Sequence, residues 1–329
     1  MRHIAFAAVL AAGCGLESVG GDPEPVADGE IEIRSPEPAS FYYRETIDAY
    51  GALVANVPFD IGAGSPITSV VLRDQNDLEI AELSGPSFSG DIDIPSSGNL
   101  TITATGYDEL GEQVAATSVN IYALDPEVAD CYGWLDMYGL QYERGPDRQG
   151  VDDPVTVTTP INGVAHRSLG SAQTRETFFM DCNLAVALAA AAPVLRRRDV
   201  VEVADLGVYN YRCIGGGEPP NCPNGVSWHA YAKAIDIAGY TTGDGSFYSV
   251  NDDWVIDGEN EATCGAATEG EKDEFLHEII CAQKAAGVWN IVLTPNYNAA
   301  HRNHFHVDLT TGSNFLRASF PVDAGPDLH

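Results

Sequence analysis

The sequence predicts an all-β sandwich followed by a domain of mixed helices and strands, the α+β class. Residues 31–123 contain short β-branched segments that partly alternate in polarity and are separated by turn residues, which is typical of a sandwich. From residue 130 onward, helix-like and strand-like segments follow one another without regular βαβ alternation, which is typical of an α+β domain. Every cysteine except Cys14 and every histidine except His3 lies after Pro126. We therefore expect the chemistry in the second domain.

Residues 1–14 predict a lipoprotein signal peptide. Arg2 supplies positive charge, Ile4–Ala12 is apolar but too short to span a bilayer, and small residues follow. Ala11-Ala12-Gly13-Cys14 resembles a bacterial lipobox with Ala in place of the usual Leu, which implies lipidation of Cys14 and a lipid anchor to a membrane. Ordinary signal cleavage, with Cys14 discarded or free, is the alternative. Lipidation predicts an exported lipoprotein of the periplasm or of the outer membrane or cell surface.

Residues 15–29 are rich in Gly, Pro and acidic residues and predict a flexible acidic linker. Residues 30–124 form the predicted sandwich, and its strands are expected in the segments IEIRSP, ALVANVPFDI, ITSVVLRD, SGDIDIP, LTITATGYD and TSVNIYA. The stretch TATGYDELGEQ resembles the last hairpin of bacterial immunoglobulin-like surface domains, so we expect an immunoglobulin-like sandwich. A spacer role is the simplest expectation, and ligand binding is the alternative.

Residues 130–316 form the predicted α+β domain, with a small antiparallel sheet and helices, and residues 317–329 form a tail. Helices are expected over 175–198 and over 271–286. In the second of these, apolar residues follow three- and four-residue spacing and Gly287 is a suitable C-cap. Strands are expected at AIDIAGY and at HFHVDL.

Charge and cysteine content limit the possible functions. The chain carries 48 acidic and 17 basic residues, a formal net charge of -31, and such a surface repels the phosphates of nucleic acid. Six cysteines in an exported domain predict up to three disulfides, with buried free thiols as the alternative and 15 possible pairings: Cys131, Cys182, Cys213, Cys222, Cys264 and Cys281.

The segment AHRNHFHVDL places His304, His306 and Asp308 at alternate positions. On a strand these three side chains share one face, while Phe305 and Val307 share the other, so the polar face is expected to line a cleft. Two imidazoles on one face suit a zinc ion. An H-x-H motif by itself is a weak signal, because histidines are common on surfaces and in cores.

The segment SWHAYAKAIDIAGY places His229 seven residues before Asp236. A continuous helix would separate the two by about 10 Å and a straight strand by about 23 Å, so neither would let both contact one ion. The chain must therefore turn around Ala230–Lys233. An apolar strand with one charge inside it needs a partner for that charge, which either a metal or a salt bridge supplies.

These two segments together carry a family resemblance. Ser227-x-His229 followed by Ala234-x-Asp236 resembles the S-x-H-x-x-G-x-A-x-D signature of zinc D-Ala-D-Ala carboxypeptidases and related murein peptidases. With the closing H-x-H, the chain resembles the extensin-like C-terminal domain family over roughly Cys131 to Leu309. Further matching segments are GVDDPVTV, YRC, NDDW and LTPNYNAAHRNHFHVDL. The resemblance implies a zinc-peptidase-like fold with Zn²⁺ as cofactor.

The resemblance also implies roles for particular residues. It assigns His229, Asp236 and His306 as the zinc ligands, with a water in the fourth position. His304 would be the catalytic or transition-state-stabilising residue, and the general base in reach of the water. Ser227 would support the site by hydrogen bonding.

Other expectations concern residues around this set. Arg212 could hold the carboxylate of a peptide stem, although an ordinary salt bridge is the simpler expectation. His301 is expected to be exposed, with a supporting place beside the ligands as the alternative. The family pattern favours two disulfides and leaves a third as an addition of this chain: Cys131–Cys182, Cys213–Cys281 and Cys222–Cys264.

Three residues depart from the patterns that the chain resembles. Ala232 stands where the signature has Gly, so the turn is built without that residue's freedom in φ. Trp228 stands where the extensin-like family usually has Glu. Asn303 stands where that family usually has Asp and where some relatives place a glutamate base. If that acid is the base, this protein is weakened or inactive; if His304 is the base, Asn303 is harmless.

The sequence therefore predicts a surface-anchored, zinc-dependent peptidase of peptidoglycan, either a carboxypeptidase or an endopeptidase. The alternative is a zinc-containing module that binds cell wall or glycoprotein with little or no turnover. A third possibility is a structural surface protein whose histidines bind nothing tightly.

Overall fold

The computed structural model describes residues 25–85, 87–256, 263–313 and 315–317, and the chain is built mostly of strands with few helices. The predicted signal peptide, the lipidation site at Cys14 and most of the predicted linker and tail lie outside the described residues. Within these ranges, every helix is too short or too polar to cross a membrane.

The secondary structure runs through nineteen strands and four α-helices in the described ranges. The strands are β1 (Ile31–Ser35), β2 (Phe41–Tyr43), β3 (Thr46–Ile47), β4 (Leu53–Ala63), β5 (Ser69–Arg73), β6 (Glu79–Ser84), β7 (Phe88–Ile94), β8 (Gly98–Tyr107), β9 (Gln113–Leu124), β10 (Tyr142–Arg144), β11 (Pro154–Thr158), β12 (Ala165–Ser168), β13 (Thr177–Asp181), β14 (Val200–Gly207), β15 (Ala234–Thr242), β16 (Phe247–Ser249), β17 (Ile291–Leu293), β18 (Phe305–Asp308) and β19 (Phe315–Arg317). The helices are α1 (Cys131–Met137), α2 (Cys182–Arg196), α3 (Val250–Asp253) and α4 (Glu271–Ala285). Two short 3-10 helices cover Trp228–Tyr231 and Ala299–His301.

Strands β1 to β9 form two sheets. One sheet has the order β1-β4-β3 with β7 also paired to β4, and the other has the order β2-β9-β8-β5-β6. In β4, Val57, Phe59 and Ile61 are buried while the residues between them are exposed, as the alternating pattern requires. Each of the six segments predicted as a strand in this part of the chain overlaps a strand, with differences of up to four residues at the ends. The immunoglobulin-like character of the sandwich stays a prediction.

Contacts within the chain divide it into two compact units. One comprises Pro58–Gly90, Thr101–Val119 and the described part of Met1–Pro38. The other comprises Ala39–Val57, Asp91–Leu100 and the described part of Asn120–His329, and it contains all four α-helices and the candidate site. The predicted domain boundaries at residues 124 and 130 stay a prediction.

The central sheet of the second unit is larger than expected and of mixed direction. Its order is β12-β14-β15-β18-β17-β19, with β16 paired to β15, and a separate sheet has the order β10-β11-β13. β12 runs parallel to β14 and β17 runs parallel to β19, whereas the pairs at its centre are antiparallel. The expectation of a small antiparallel sheet is therefore wrong. Parallel pairing of β12 and β14 is possible because β13 and α2 lie between them and supply the long crossover.

The two predicted helices have different outcomes. α4 covers Glu271–Ala285, and Gly287 follows it with φ +70°, so this helix prediction is confirmed. The helix expected over 175–198 is in part wrong, because Thr177–Asp181 forms β13 and pairs with β11. Asp181 then caps α2 by accepting a hydrogen bond from the Asn183 backbone N–H. The Thr and Phe side chains of β13 favour a strand once a neighbouring strand is present.

All six cysteines of the second unit form disulfides, but two of the expected pairs are wrong. Cys131 is bonded to Cys182 as expected and joins the first residues of α1 and α2. The other bonds are local: Cys213 with Cys222, at a Cα separation of 5.2 Å, and Cys264 with Cys281, at 5.6 Å. A disulfide needs its two Cα atoms within about 7 Å of each other. Cys213 meets this condition with Cys222 in the loop after β14, and Cys264 meets it with Cys281 of α4.

Candidate metal centre

A sharp turn brings His229 next to Asp236. His229 lies in the 3-10 helix Trp228–Tyr231, and β15, which carries Asp236, begins only three residues after this helix. His229 Nε2 lies 3.1 Å from Asp236 Oδ1. The prediction that the chain turns around Ala230–Lys233 is therefore confirmed.

The turn depends on Ala232, which adopts the left-handed conformation with φ +53°. For a residue with a Cβ this conformation costs about 1–2 kcal/mol. The surroundings of Ala232 offset part of that cost. Its methyl group is fully buried in the core, and its carbonyl accepts a hydrogen bond from the Asp181 backbone N–H at 3.1 Å. The chain thus builds with alanine the turn that glycine would form without strain.

The pairing of β15 with β18 places Asp236 directly opposite His306. Residues that are opposite each other on adjacent strands point to the same face of the sheet. On the other face of β18, Phe305 and Val307 are completely buried. The two-faced strand predicted from HFHVDL is therefore confirmed.

Three potential ligand atoms converge at this point. His306 Nδ1 lies 2.9 Å from Asp236 Oδ1 and 3.2 Å from His229 Nε2, and the group of three could hold a metal ion. Ligands at roughly 2.0–2.1 Å from a tetrahedral zinc ion lie about 3.3 Å from one another. The observed spacings are close to that value, so these three side chains fit a zinc ion.

The remaining nitrogen of each imidazole is already engaged. His229 Nδ1–H donates to the carbonyl of Val208 at 2.8 Å, and His306 Nε2–H donates to Asp308 Oδ2 at 3.1 Å. Asp308 Oδ1 in turn accepts hydrogen bonds from the backbone N–H and the hydroxyl of Thr310. These contacts leave His229 Nε2 and His306 Nδ1 facing Asp236, where each nitrogen either donates a proton to the carboxylate or, without that proton, could bind a metal ion.

The pKa values of His306 and Asp236 are shifted in opposite directions by their contact. Burial disfavours the charged form of His306, but the hydrogen bonds to Asp236 and Asp308 and their negative charges raise its pKa to about 9. Burial opposes ionisation of Asp236, yet hydrogen bonds with His229 and His306 hold its pKa well below the usual range. The charges and hydrogen bonds around Asp236 thus favour a proton at this point, and the same group of three residues could hold a metal ion.

His304 lies at the edge of the ligand group, immediately before β18. Its Nε2 is 3.4 Å from Asp236 Oδ1, and its Nδ1–H donates to the side-chain carbonyl of Asn303 at 2.8 Å. Burial lowers the pKa of His304, although the charge of Asp236 acts in the opposite direction. Asn303 therefore orients His304 in a neutral form whose Nε2 faces the ligands.

His301 is not the exposed residue that the sequence suggested. It is half-buried, and its ring centroid lies 5.2 Å from that of His304 and 5.9 Å from that of His306. Its Nδ1–H donates to Asn298 Oδ1 at 2.8 Å. Burial, with the nearby positive charges, lowers its pKa to about 4. The short helix Ala299–His301 folds this imidazole back over the strand, which the sequence spacing did not reveal.

Ser227, Trp228 and Arg212 also line the pocket around the ligands. Ser227 is buried at the start of the 3-10 helix, where its side chain makes no capping hydrogen bond. Among the described residues, no carboxylate forms an ion pair with Arg212, so the simple salt bridge expected for it is not formed. Arg212 acts electrostatically on His304, since its charge contributes to the lowered pKa of that histidine.

The pocket has a volume of about 420 Å³, which suits part of a peptide. The strand pattern placed Asp308 on the face that lines this pocket, although it did not predict the hydrogen bond between Asp308 and His306. Sequence reasoning missed the aliphatic residues Ile291 and Leu293. Nothing in the local sequence points to Ile291 and Leu293, because their position depends on the pairing of β17 with β18.

A family model and several solved structures match parts of this chain. Residues 129–317 match the family model described as extensin-like protein C-terminus. No curated protein matches the chain. Among solved structures, fibronectin(III)-like modules of Clostridium thermocellum CbhA match at 15% identity and a TM-score of 0.24, covering 30% of this chain and 100% of theirs.

A second solved structure is Bacteroides ovatus SGBP-B, of a mixed-linkage glucan utilization locus, in complex with a mixed-linkage heptasaccharide. It matches at 11% identity and a TM-score of 0.20, covering 73% of this chain and 52% of that protein. Likenesses at these scores carry no argument about function. The family match, in contrast, spans more than half of the sequence and includes every residue of the candidate metal centre. The chain therefore belongs to the extensin-like protein C-terminus family.

Proposed function

We propose that this protein is a zinc-dependent peptidase of peptidoglycan, a carboxypeptidase or endopeptidase with a zinc-peptidase-like fold. The observation that carries the proposal is the convergence of His229 Nε2, Asp236 Oδ1 and His306 Nδ1 at separations of 2.9 to 3.2 Å. Three protein ligands with one open position are typical of catalytic rather than structural zinc. The pocket around them leaves room for a substrate.

A zinc ion at these ligands would lower the pKa of a water and polarise the carbonyl of a peptide bond. The proton released in the reaction needs an acceptor, and His304 is suited to that role. Its Nε2 faces the ligand group at 3.4 Å from Asp236 Oδ1, and burial favours its neutral form. The hydrogen bond to Asn303 keeps the opposite ring nitrogen protonated, so Nε2 is free to accept a proton.

Arg212 supplies a positive charge in a protein whose formal net charge is -31. A guanidinium without a carboxylate partner among the described residues is suited to bind a carboxylate of the substrate. Peptide stems of peptidoglycan carry such carboxylates. In this proposal Arg212 binds the substrate, and Ser227 supports the wall of the pocket beside it.

The remaining parts of the proposal concern location. A lipid on Cys14 would anchor the exported chain to a membrane, at the periplasmic side or at the cell surface. An immunoglobulin-like sandwich over residues 30–124 would then act as a spacer between the membrane and the peptidase. The lipid anchor and the spacer role are proposed from the sequence of residues 1–14 and of residues 30–124.

The test is a digest of purified peptidoglycan with the protein supplied with zinc, followed by mass analysis of the products. We expect stoichiometric zinc in the wild type and release of amino acids or peptides that falls at least 100-fold in His304→Ala. Equal release by the wild type and His304→Ala would overturn the enzymatic proposal. A correctly folded wild type that binds no stoichiometric zinc would overturn the metal centre itself.

Asn303 favours a second candidate, a zinc-containing binding module with little turnover. The residue is exposed and carries an amide, which cannot take up a proton where a carboxylate could. Sedimentation of the protein with insoluble peptidoglycan separates the two candidates. Binding without product in the wild type, together with turnover in Asn303→Asp, would favour the binding module over the peptidase.

A further inference from the structure

The segment between Arg212 and Ser227 leaves the pocket of the candidate metal centre and returns to it. Both of these residues line the pocket, and the Ser227 backbone N–H donates to the Arg212 carbonyl at 3.1 Å. Next to this pair, Cys213 forms a β-bridge with Val226. We call residues 213–226 the pocket loop, and its two ends are thus held together where they leave the pocket.

The side chains of the pocket loop contribute little to hold it in place. Gly215, Gly216 and Gly217 follow one another with φ +81°, +105° and +91°, and a Cβ at either of the last two would meet nothing within 4 Å. Of residues 214–226, all of which the structure describes, none is buried. Glycine loses more conformational freedom on folding than any other residue, and little apolar burial offsets that loss here. The loop therefore needs another constraint.

A disulfide supplies this constraint. Cys213 is completely buried, and it is bonded to the half-buried Cys222 at a sequence separation of 9. The bond ties the exposed glycines to a buried residue at the base of the pocket loop. The two arms of the loop stay joined even when the hydrogen bonds between them break, so the disulfide limits how far the loop can open.

Arg212 is the pocket residue that this constraint affects most directly. It immediately precedes Cys213, and its side chain is half-buried. Among the described residues, no carboxylate forms an ion pair with its guanidinium. The direction of this side chain therefore depends largely on the backbone to which it is attached. A bidentate contact with a carboxylate needs a guanidinium plane of fixed orientation, which an open loop would not provide.

We propose that the Cys213–Cys222 disulfide is a positioning element that holds Arg212 in place for a carboxylate of the substrate. The proposal rests on the proposed peptidase function, in which Arg212 binds that carboxylate. Neither cysteine lines the pocket, so both act through Arg212 and not on the substrate itself. The three candidate zinc ligands lie outside the pocket loop, so the disulfide affects the binding of substrate and not that of zinc.

The first test compares the wild type with Cys213→Ser/Cys222→Ser on a peptidoglycan stem peptide that the wild type cleaves, and on the same peptide with its carboxylates converted to amides. We expect KM for the carboxylate peptide to rise at least about 10-fold and kcat to change less than about 3-fold, because the variant loses ground-state binding. On the amide peptide, which offers Arg212 no carboxylate, KM should change less than about 2-fold. An equal rise of KM on both peptides, or no rise on either, would overturn the positioning role.

The variant Arg212→Ala separates positioning from a general loss of structure. In this background, removing both cysteines of the pocket loop should raise KM for the carboxylate peptide by less than about 2-fold, because the side chain that the disulfide positions is already absent. A further rise of about 10-fold would show that the disulfide acts on another group, which contradicts the proposal. A matched control is Cys264→Ser/Cys281→Ser, which removes a second short-range disulfide whose cysteines do not line the pocket and should leave KM unchanged.

Amide hydrogen exchange tests the constraint without any turnover. The N–H groups of Ile214 and Ser227, which join the arms of the pocket loop, should exchange at least about 10-fold faster in Cys213→Ser/Cys222→Ser, whereas those of β15 should not change. Zinc content and circular dichroism verify that each variant retains the metal centre and the fold. Exchange as slow as in the wild type would overturn the constraint and leave the peptidase proposal standing. If the wild type cleaves no peptide and no peptidoglycan, the peptidase proposal fails, and the role of the disulfide in substrate binding fails with it.

Discussion

His306 donates its Nε2–H to Asp308 Oδ2 at 3.1 Å, so a residue two positions along the same strand fixes the ring whose Nδ1 faces the candidate metal position. Asp308 is held in turn by Thr310, whose backbone N–H and hydroxyl both donate to its Oδ1. A carboxylate behind a ligand histidine sets the ring orientation and increases its basicity. The short segment from His306 to Thr310 thus contains a candidate ligand, the carboxylate that orients it and the residue that holds this carboxylate.

We predict that Asp308→Ala weakens zinc binding by about 10- to 100-fold, with a smaller loss in Asp308→Asn. The alanine variant removes the acceptor for His306 Nε2–H, so the ring can rotate or exchange its protonated nitrogen. Competition with a chromophoric chelator measures the affinity. Asp91→Ala removes an exposed carboxylate from β7 and should bind zinc as the wild type does. An affinity of folded Asp308→Ala equal to that of the wild type would contradict the supporting role.

We predict different zinc contents for two histidine variants of the same pocket. His306→Ala removes one of the three converging ligand atoms and should lose stoichiometric zinc. His301→Ala should retain it, because His301 contacts the ring of His306 but does not belong to the converging group. Elemental analysis of the dialysed proteins gives the result. Loss of zinc in both variants, with the fold intact, would show that His301 is a ligand.

We predict that His304→Ala lowers kcat at least 100-fold while zinc stays bound, because the variant lacks the proton acceptor. Asn303→Ala should have a smaller effect, about 10-fold, since it removes only the acceptor that orients His304. Steady-state kinetics on a cleaved peptide give both values. If kcat fell as far in Asn303→Ala as in His304→Ala, Asn303 would do more than orient the ring of His304.

We expect the buried histidine His166 to make the free energy of unfolding depend on pH. It is buried against Phe178 in the second unit, and none of the residues that the structure describes forms a hydrogen bond with its Nδ1. Burial, with the positive charge of Arg175, lowers its pKa to about 3. In the unfolded chain a histidine binds a proton below about pH 6.5. Between that pH and about pH 3, the unfolded state therefore binds one more proton at His166 than the folded state does. Stability is therefore lost as the pH falls from 6.5 toward 3.

We predict that His166→Phe flattens this dependence. The free energy of unfolding of the wild type should fall relative to the variant by about 2 kcal/mol between pH 7 and pH 5. The variant also removes the unpartnered Nδ1, so the core keeps an apolar ring in contact with Phe178. Urea unfolding at a series of pH values measures the difference between the two curves. Parallel curves would mean that His166 is protonated in the folded protein.

Much of the site could be predicted because its information is local. The H-x-H-x-D spacing placed His306 and Asp308 on one face of a strand, and the seven-residue separation of His229 and Asp236 required the turn that Ala232 completes. These conclusions need only the period of a strand and the reach of a chain. Periodicity and capping likewise predicted α4 to within one residue of its end.

The errors arise where distant segments decide the outcome. Thr177–Asp181 was predicted as helix because its pairing with β11 is not encoded nearby. Two disulfides were expected between separate segments, whereas Cys213 and Cys264 each bond to a cysteine close in sequence. His301 was expected to be exposed because the spacing of residues does not reveal how a short helix folds back over a strand.

The sequence by itself determined which residues can bind a metal, because ligand chemistry belongs to side chains and their spacing along each strand is fixed by the backbone. It also determined the two-faced character of β18. Only the tertiary structure decided that Asp236 lies opposite His306, that Val208 and Asp308 fix the two imidazoles, and that Leu293 forms the wall beside them. The register between strands that are far apart in the chain is set by burial of the opposite face, and a linear pattern does not contain it.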